Sequence, residues 1–236
     1  MYDASLLLKL QALDKSIADL KRNLSATETS LQDDSLVAKA ENIFQQIDAG
    51  HEKVAKAQRE TERETQRLTD RKDLIESRIY SGNITNPKEL SALQEEVGNL
   101  TSLINDQEDI LLVRMDETEK YAEGLEKATT QFQNAKIAHE GKLIELKSKQ
   151  KDLINQLESE EPQKNTIREE FSADVLRVYD RVRQSNKGIA VAVVEGDRCS
   201  ECRLSIPTQL LENLKTTEEF VYCNSCRRIL LRGTLR

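Results

Sequence analysis

The chain has 236 residues and a net charge of −7, with 33% charged residues, 4% aromatics, no Trp, eight Gly and three Pro. So few aromatics and turn-formers argue against one large globular core, and the Lys/Glu/Leu/Ala bias points to long helices or coiled coil. The acidic balance excludes a simple polyanion binder, and no apolar run approaches the roughly 20 residues of a membrane span.

The first helix shows a 4-3 spacing of apolar residues: Leu6, Leu10, Leu13, Ile17, Leu20, Leu24 and Leu31. This is the seam of a coiled coil. From Ile47 the repeat resumes one residue out of phase, which predicts a break near residues 32–35, with Asp34 or Ser35 capping a helix restarted at Leu36. No basic stretch precedes Leu6, Leu7 and Leu8, so no secretory leader is expected.

The clearest turn is Tyr80-Ser81-Gly82-Asn83-Ile84-Thr85-Asn86-Pro87. Gly82 suits a left-handed position that ends a helix. Asn86 is a good N-cap with Pro87 in the first turn, and Glu89 is placed to reach back to the cap. A second seam then runs through Leu90, Leu93, Val97, Leu100 and Ile104 and on towards residue 160. A short turn between two long helices makes an antiparallel hairpin, an arm about 110 Å long at 1.5 Å per residue. Pairing across the turn sets Ile75 against Leu93, Leu68 against Leu100 and Ile47 against Tyr121. Thr61, Thr65, Gln107, Arg114 and Thr118 weaken the seam in mid-arm.

Pro162 reads as a stop. A third helix is expected over residues 163–185, its stripe of Ile167, Phe171, Val175, Val178 and Val182 packing on the first turns of the chain. Residues 189–194 read as a β-branched strand, 207–214 as a short helix, and 219–222 and 228–231 as strands. Residues 1–187 therefore form a helical hairpin and residues 188–236 a small second domain.

All four cysteines lie in that second domain, as Cys199-x-x-Cys202 and Cys223-x-x-Cys226. Each tight Cys-x-x-Cys turn brings two sulfurs to one side, so two such knuckles complete a tetrahedron of thiolates, a set that suits Zn²⁺. Redox dithiols need a βαβ setting that is not visible here. Four thiolates close the metal's shell, leaving no open position for water, so the expected role of the single zinc is structural. The thiols suit a reducing, cytoplasmic setting. No nucleophile–base pair or phosphate loop is visible, so no enzyme is expected.

Arg203, Arg227, Arg228 and Arg232 surround the knuckles. They are candidates for phosphate contact with RNA or DNA, or else compensate the charge of about −2 at a four-thiolate zinc. Arg59, Arg63, Arg67 and Arg71 recur every four residues among Glu60, Glu62, Glu64 and Asp70. Ion pairing to neighbours, Asp106 and Asp109 across the seam included, is favoured over a phosphate track. His51 and His139 read as packed seam positions. The turn residues Tyr80 to Pro87 form a second candidate site, because Tyr80 and Ile84 are apolar where water should reach them.

Taken together, three stretches resemble the bacterial coiled-coil proteins that carry a C-terminal four-cysteine zinc ribbon. They are the turn Tyr80-Ser81-Gly82-x-x-Thr85-Asn86-Pro87-Lys88-Glu89-Leu90, the run Cys199-x-x-Cys202-x-x-x-Ile206-Pro207-x-Gln209-Leu210-Leu211, and Cys223-x-x-Cys226-x-Arg228-Ile229-Leu230. The resemblance covers the whole length and implies a mainly helical fold: a long antiparallel hairpin plus a zinc ribbon, without known enzymatic activity. It suggests binding of nucleic acid or of the transcription apparatus, an alternative sigma factor among the partners. Arg227 departs from the family pattern, which has Gly there, and the tail after Leu231 runs past the usual end. The alternatives are a structural spacer or assembly chaperone, or an RNA polymerase secondary-channel factor. The last works through carboxylates at the tip, and residues 80–87 have none.

Overall fold

The computed structural model describes residues 3–217 and 219–232; of the tail, residues 233–236 lie outside the described residues. The helices are α1 (Ala4–Leu31), α2 (Ser35–Tyr80), α3 (Pro87–Glu169), α4 (Ala173–Ser185) and α5 (Thr208–Thr216). The strands are β1 (Val191–Glu195), β2 (Arg198–Cys199) and β3 (Ile229–Arg232). The chain forms two compact units: residues 33–142, and residues 1–32 together with 143–236. The ribbon thus belongs to the same compact unit as α1 and the end of α3.

In the first of these units α2 and α3 run antiparallel from the turn. Gly82 takes the expected left-handed conformation, φ +76, and Asn86 Oδ1 accepts the Lys88 N–H at 3.0 Å. Glu89 does not reach back to the cap; its carboxylate pairs with Arg78 at 2.7 Å, where full charge is met by full charge. Ile47 lies against Gly124, and the Tyr121 ring lies over Gly50 so closely that a Cβ there would sit 2.5 Å from it. Helical side chains lean towards their own N-terminus, so each of these contacts falls about one turn away from the residue directly opposite. Phe44 and Phe132 stack at 5.7 Å. Of the four evenly spaced arginines only Arg71 crosses to the other helix, to Glu96, while Arg67 pairs with Glu64 within α2. Arg59, Arg63, Asp106 and Asp109 make no ion pair among the described residues.

The break between α1 and α2 falls at residues 32–34, as the phase slip predicts. The side chain that accepts at the restart is Asp33, from the Ser35 N–H at 3.2 Å, whereas Asp34 makes no side-chain cap bond. Hydrogen bonding to Ser35 holds the Asp33 carboxyl below its ordinary range.

The expected stop at Pro162 does not occur: α3 runs through it to Glu169, and α4 begins only at Ala173. A proline removes one backbone donor, but here the seam spacing continues across it, with Leu146, Gln150, Leu153, Leu157, Glu160, Lys164 and Ile167 all turned at least partly inward. Gln163 Nε2 donates to the Ser159 carbonyl. The same turn is tied to α1 through Ser16–Glu160 (2.9 Å), Lys21–Glu161 (2.7 Å) and Asp14–Lys164 (2.7 Å). The chain turns instead at residues 170–172, where Phe171 is buried and Ser172 caps α4.

The ribbon is a three-stranded sheet in the order β2-β1-β3, with β1 antiparallel to β2 and parallel to β3. Residues 219–222 form no strand of their own, only a bridge between Tyr222 and Ile229. One core of the unit contains Leu7, Leu10, Phe171, Tyr179, Val182, Val191, Ile229 and Leu231, so α1, α4 and the sheet share it. A second contains Ala192, Cys199, Ile206, Val221, Cys223 and Leu230 under α5. Gln11 in α1 joins the sheet directly: its amide donates to the Val191 carbonyl (3.0 Å) and accepts the Val191 N–H (2.6 Å).

At the centre of the shared core stands Asp14, 1% exposed. It lies on the Leu7–Leu10–Ile17 face and ion-pairs with Lys164 and, at 3.4 Å, with Arg183. The Tyr179 hydroxyl donates to its Oδ2 at 2.9 Å. Burial, and then the Asp14 charge, push the Tyr179 phenol far above its ordinary range, so it remains a donor. Arg168 clamps Asp180 through two bonds of 3.1 and 2.7 Å.

Replacing Asp14 by Ala leaves two cations facing a desolvated gap, and denaturant unfolding is expected to show a loss of about 3 kcal/mol. Asp197→Ala, at an exposed pair, should change stability by less than about 0.5 kcal/mol. The Arg168 hydrogen bonds hold the Asp180 carboxyl below its ordinary range. The unfolded chain therefore binds that proton more readily, and the pair's contribution is present above the ordinary carboxylate range and lost as pH falls through the lowered pKa. Asp180→Asn should flatten the acid limb of the stability profile.

Candidate metal centre

The two knuckles are built alike. In the first, the Cys199 N–H donates to the Leu204 carbonyl (3.1 Å) and the Arg203 N–H to the Cys199 carbonyl (2.8 Å). In the second, the Cys223 N–H donates to the Arg228 carbonyl (2.8 Å) and the Arg227 N–H to the Cys223 carbonyl (3.0 Å). The first cysteine of each knuckle is buried and the second half-buried. Parallel pairing of β1 with β3 sets the strand leaving the second knuckle beside the strand entering the first.

The four sulfurs converge. All lie within 4.8 Å of one another, with Cys199–Cys226 at 3.8 Å and Cys202–Cys223 at 3.7 Å. A tetrahedron of Zn–S bonds near 2.3 Å has edges of about 3.8 Å, so the set fits one zinc ion. Burial pushes the Cys199 thiol up to about 12 and raises that of Cys223. At Cys226 burial acts the same way, but hydrogen bonds from Arg228, with smaller contributions from Cys223 and Cys202, outweigh it and bring the thiol down to about 7. A pocket in which burial opposes bare thiolates at Cys199 and Cys223, yet in which four sulfurs converge, is one that a dication completes. With all four positions taken by sulfur, the ion closes the fold.

The arginines around the centre divide. Arg203 and Arg227 are exposed and both have left-handed backbones, φ +63 and +61. Arg227 therefore occupies a Gly-type position without altering the knuckle, at a cost of order 1 kcal/mol. Arg232 is exposed at the end of β3. Arg228 is engaged internally: Nε donates to the Ile189 carbonyl at 3.1 Å and Nη2 to the Asn186 carbonyl at 3.5 Å. Beside the second knuckle an open cleft of about 540 Å³ is lined by Leu210, Asn213, Phe220, Tyr222, Asn224 and Arg227. Phe220 also packs on the shared core, and Tyr222 lies 6.5 Å from it.

At the turn, Tyr80 is 85% exposed, while Ile84 is half-buried. Ser81 Oγ donates to the Arg78 carbonyl. Asn83 and Thr85 are exposed. His51 and His139 are half-buried along their helices. The groups that the seam reading misses are Asp14, Gln11 and Tyr179. Asp14 alone had a sequence signal, because Leu7, Leu10, Asp14 and Ile17 keep 3-4-3 spacing with one charge in an apolar row.

Metal analysis of the purified protein is expected to give one zinc per chain. Cys199→Ser or Cys223→Ser should abolish stoichiometric binding, and far-ultraviolet circular dichroism should retain most of its helical signal, since α2 and α3 are remote in sequence from the site.

A CT398-like coiled-coil hairpin domain matches residues 9–187, and a C4-type zinc ribbon domain matches residues 198–230. No curated protein matches the chain. Among solved structures, CT398 from Chlamydia trachomatis is 19% identical, with 97% of each chain covered and a TM-score of 0.75. A protein from Mycobacterium smegmatis is 15% identical, covering 98% of this chain and 99% of its own, with a TM-score of 0.65. HP0958 from Helicobacter pylori is 15% identical, covering 98% of this chain and 97% of its own, with a TM-score of 0.53. At these identities the likeness concerns the fold, and it is the same architecture throughout: the chain belongs to the CT398-like coiled-coil hairpin family and ends in a C4-type zinc ribbon.

Proposed function

We propose that this protein is a non-catalytic cytoplasmic adaptor whose zinc ribbon binds nucleic acid and whose hairpin turn binds a protein of the transcription apparatus, an alternative sigma factor being one such partner. The observation that carries the reading is the pair Arg203 and Arg227. Each follows the second cysteine of its knuckle, each is exposed, and each holds a left-handed backbone that glycine would adopt more cheaply. Retaining arginine at two strained, equivalent positions is better explained by what the side chains touch than by the fold. Arg232 adds a third exposed cation, and Tyr222 offers a ring for stacking beside Arg227. Arg228 belongs to the scaffold.

A second reading, a spacer or assembly chaperone whose contacts are all with protein, is favoured by Tyr80 alone, whose ring is almost wholly in water at the turn. The secondary-channel reading has less support. The nearest carboxylate to the turn is Glu89, and it is paired with Arg78.

The test is fluorescence anisotropy of labelled single-stranded RNA and DNA with the zinc-loaded protein across a salt series. Wild type should bind with an affinity that falls as salt rises. Arg203→Gly with Arg227→Gly should weaken binding at least tenfold and reduce the log–log salt slope by about 1.4. The same variant should be no less stable than wild type, because the backbone strain is relieved. No salt-dependent binding by wild type would leave the spacer reading. In that case Tyr80→Ala should reduce co-purification of a protein partner that survives nuclease treatment.

A further inference from the structure

We propose that the outer face of α3 between Leu103 and Glu117 is a docking surface for a basic amphipathic helix of a partner protein. The inference does not depend on nucleic-acid binding, and it concerns residues of the 33–142 unit alone.

Polarity in this stretch is inverted. The residues of α3 turned at least partly inward here are Gln107, Arg114 and Thr118, as Thr61 and Thr65 are on α2, and Arg114 donates to the Ala57 carbonyl. Towards water α3 presents Leu103, Ile110, Leu112, Val113 and Met115, of which Leu112 and Val113 are 64% and 60% exposed. A coiled coil built only for its own stability would exchange these two sets. The helix is apolar all round at Ile110-Leu111-Leu112-Val113, as a helix is when something covers it.

The rim specifies the occupant. At 100° per residue, Leu103, Ile110 and Val113 share an arc of about 80°, and Asp106 and Glu117 fall within it while Asp109 borders it. From Glu89 to Val113 there is no Lys or Arg. Asp106 and Asp109 are exposed and make no ion pair among the described residues, while the next carboxylate, Asp116, is held by Lys120 at 2.5 Å. Such a surface repels nucleic acid and anionic lipid. It also disfavours a second copy related by a two-fold axis, which would bring the same carboxylates together. It fits a helix with an apolar stripe flanked by Lys or Arg, laid along the face with anchors at i, i+3 or i+4, and i+7.

The experiment uses the full-length zinc-loaded protein and a fluorescent synthetic helix with a Leu stripe bordered by Lys. A matching peptide with Glu in place of Lys is the control. Binding is followed by anisotropy at two salt concentrations, with sedimentation of the protein alone. The expected result is saturable one-to-one binding of the Lys peptide only. It should be weakened at least tenfold by Ile110→Ser with Val113→Ser, and several-fold by Asp106→Asn with Asp109→Asn. It should be untouched by Leu74→Ser, an exposed apolar residue elsewhere on the hairpin. All variants sit on exposed positions and should keep the wild-type circular dichroism and melting curve. Three results would overturn the proposal: no binding, equal binding to every variant, or a wild-type dimer that Ile110→Ser with Val113→Ser dissociates.

Discussion

Four sulfurs must meet at one point, and much of the carboxy-terminal architecture follows from that constraint. The knuckles are separated by a helix and a bridge, and the core that the three-stranded sheet buries under α5 is small, with the ligand cysteines Cys199 and Cys223 among its members. Metal ligation supplies the missing free energy on one side of the sheet. On the other side the sheet lies on α1 and α4, so Val191, Ile229 and Leu231 are packed by Leu7, Leu10, Tyr179 and Val182. The metal therefore organises more than its own loops. It fixes β1 against β3, and those strands complete the apolar surface on which the first turns of the chain rest. Gln11, bonded to both polar groups of Val191, fixes the register of that contact.

Burial is distributed unevenly between the two units. Most fully buried side chains, and the Asp14–Tyr179–Lys164–Arg183 cluster, belong to the unit that contains the ribbon. In the 33–142 unit the buried set is short: Thr61, Leu100, Ile104 and Ala128. A two-helix seam with threonines and an arginine in its middle opens locally more easily than a layered core. Elements with low local stability are well suited to receive partners. The exposed Tyr80 and the outward apolar face of α3 both lie on this unit, whereas the strained arginines lie on the metal-stapled one. Rigid presentation of point charges and adaptable presentation of apolar surface thus fall to different parts of one chain.

What was legible in the sequence followed from local chemistry. The cysteine spacing gives the metal site because a knuckle is local. The turn is legible because Gly82, Asn86 and Pro87 each impose a backbone conformation. The α1–α2 break is legible as a lost phase. What was not legible depended on partners distant in sequence. Pro162 is a helix breaker locally, yet the seam continues through it and three polar ties to α1 hold that turn in place. Glu89 has the spacing for a cap but finds Arg78 across the hairpin. Asp14 stands in an apolar row, and only the fold shows that Lys164, Arg183 and Tyr179 converge on it from α3 and α4. Arg228 is one more basic residue by a knuckle until its bonds to the Ile189 and Asn186 carbonyls are seen.

The central claim is that the metal, the ribbon sheet and the start of the chain form one cooperative structure. Hydrogen exchange with mass spectrometry, with zinc bound and after its complete removal, tests this most directly. The account predicts that removing zinc strips protection from residues 191–232 and also lowers it in the first turns of α1 and in α4, while α2 and the first part of α3 remain as before. Loss confined to the ribbon, with α1 and α4 unchanged, would contradict it, as would a ribbon that keeps its protection without the metal.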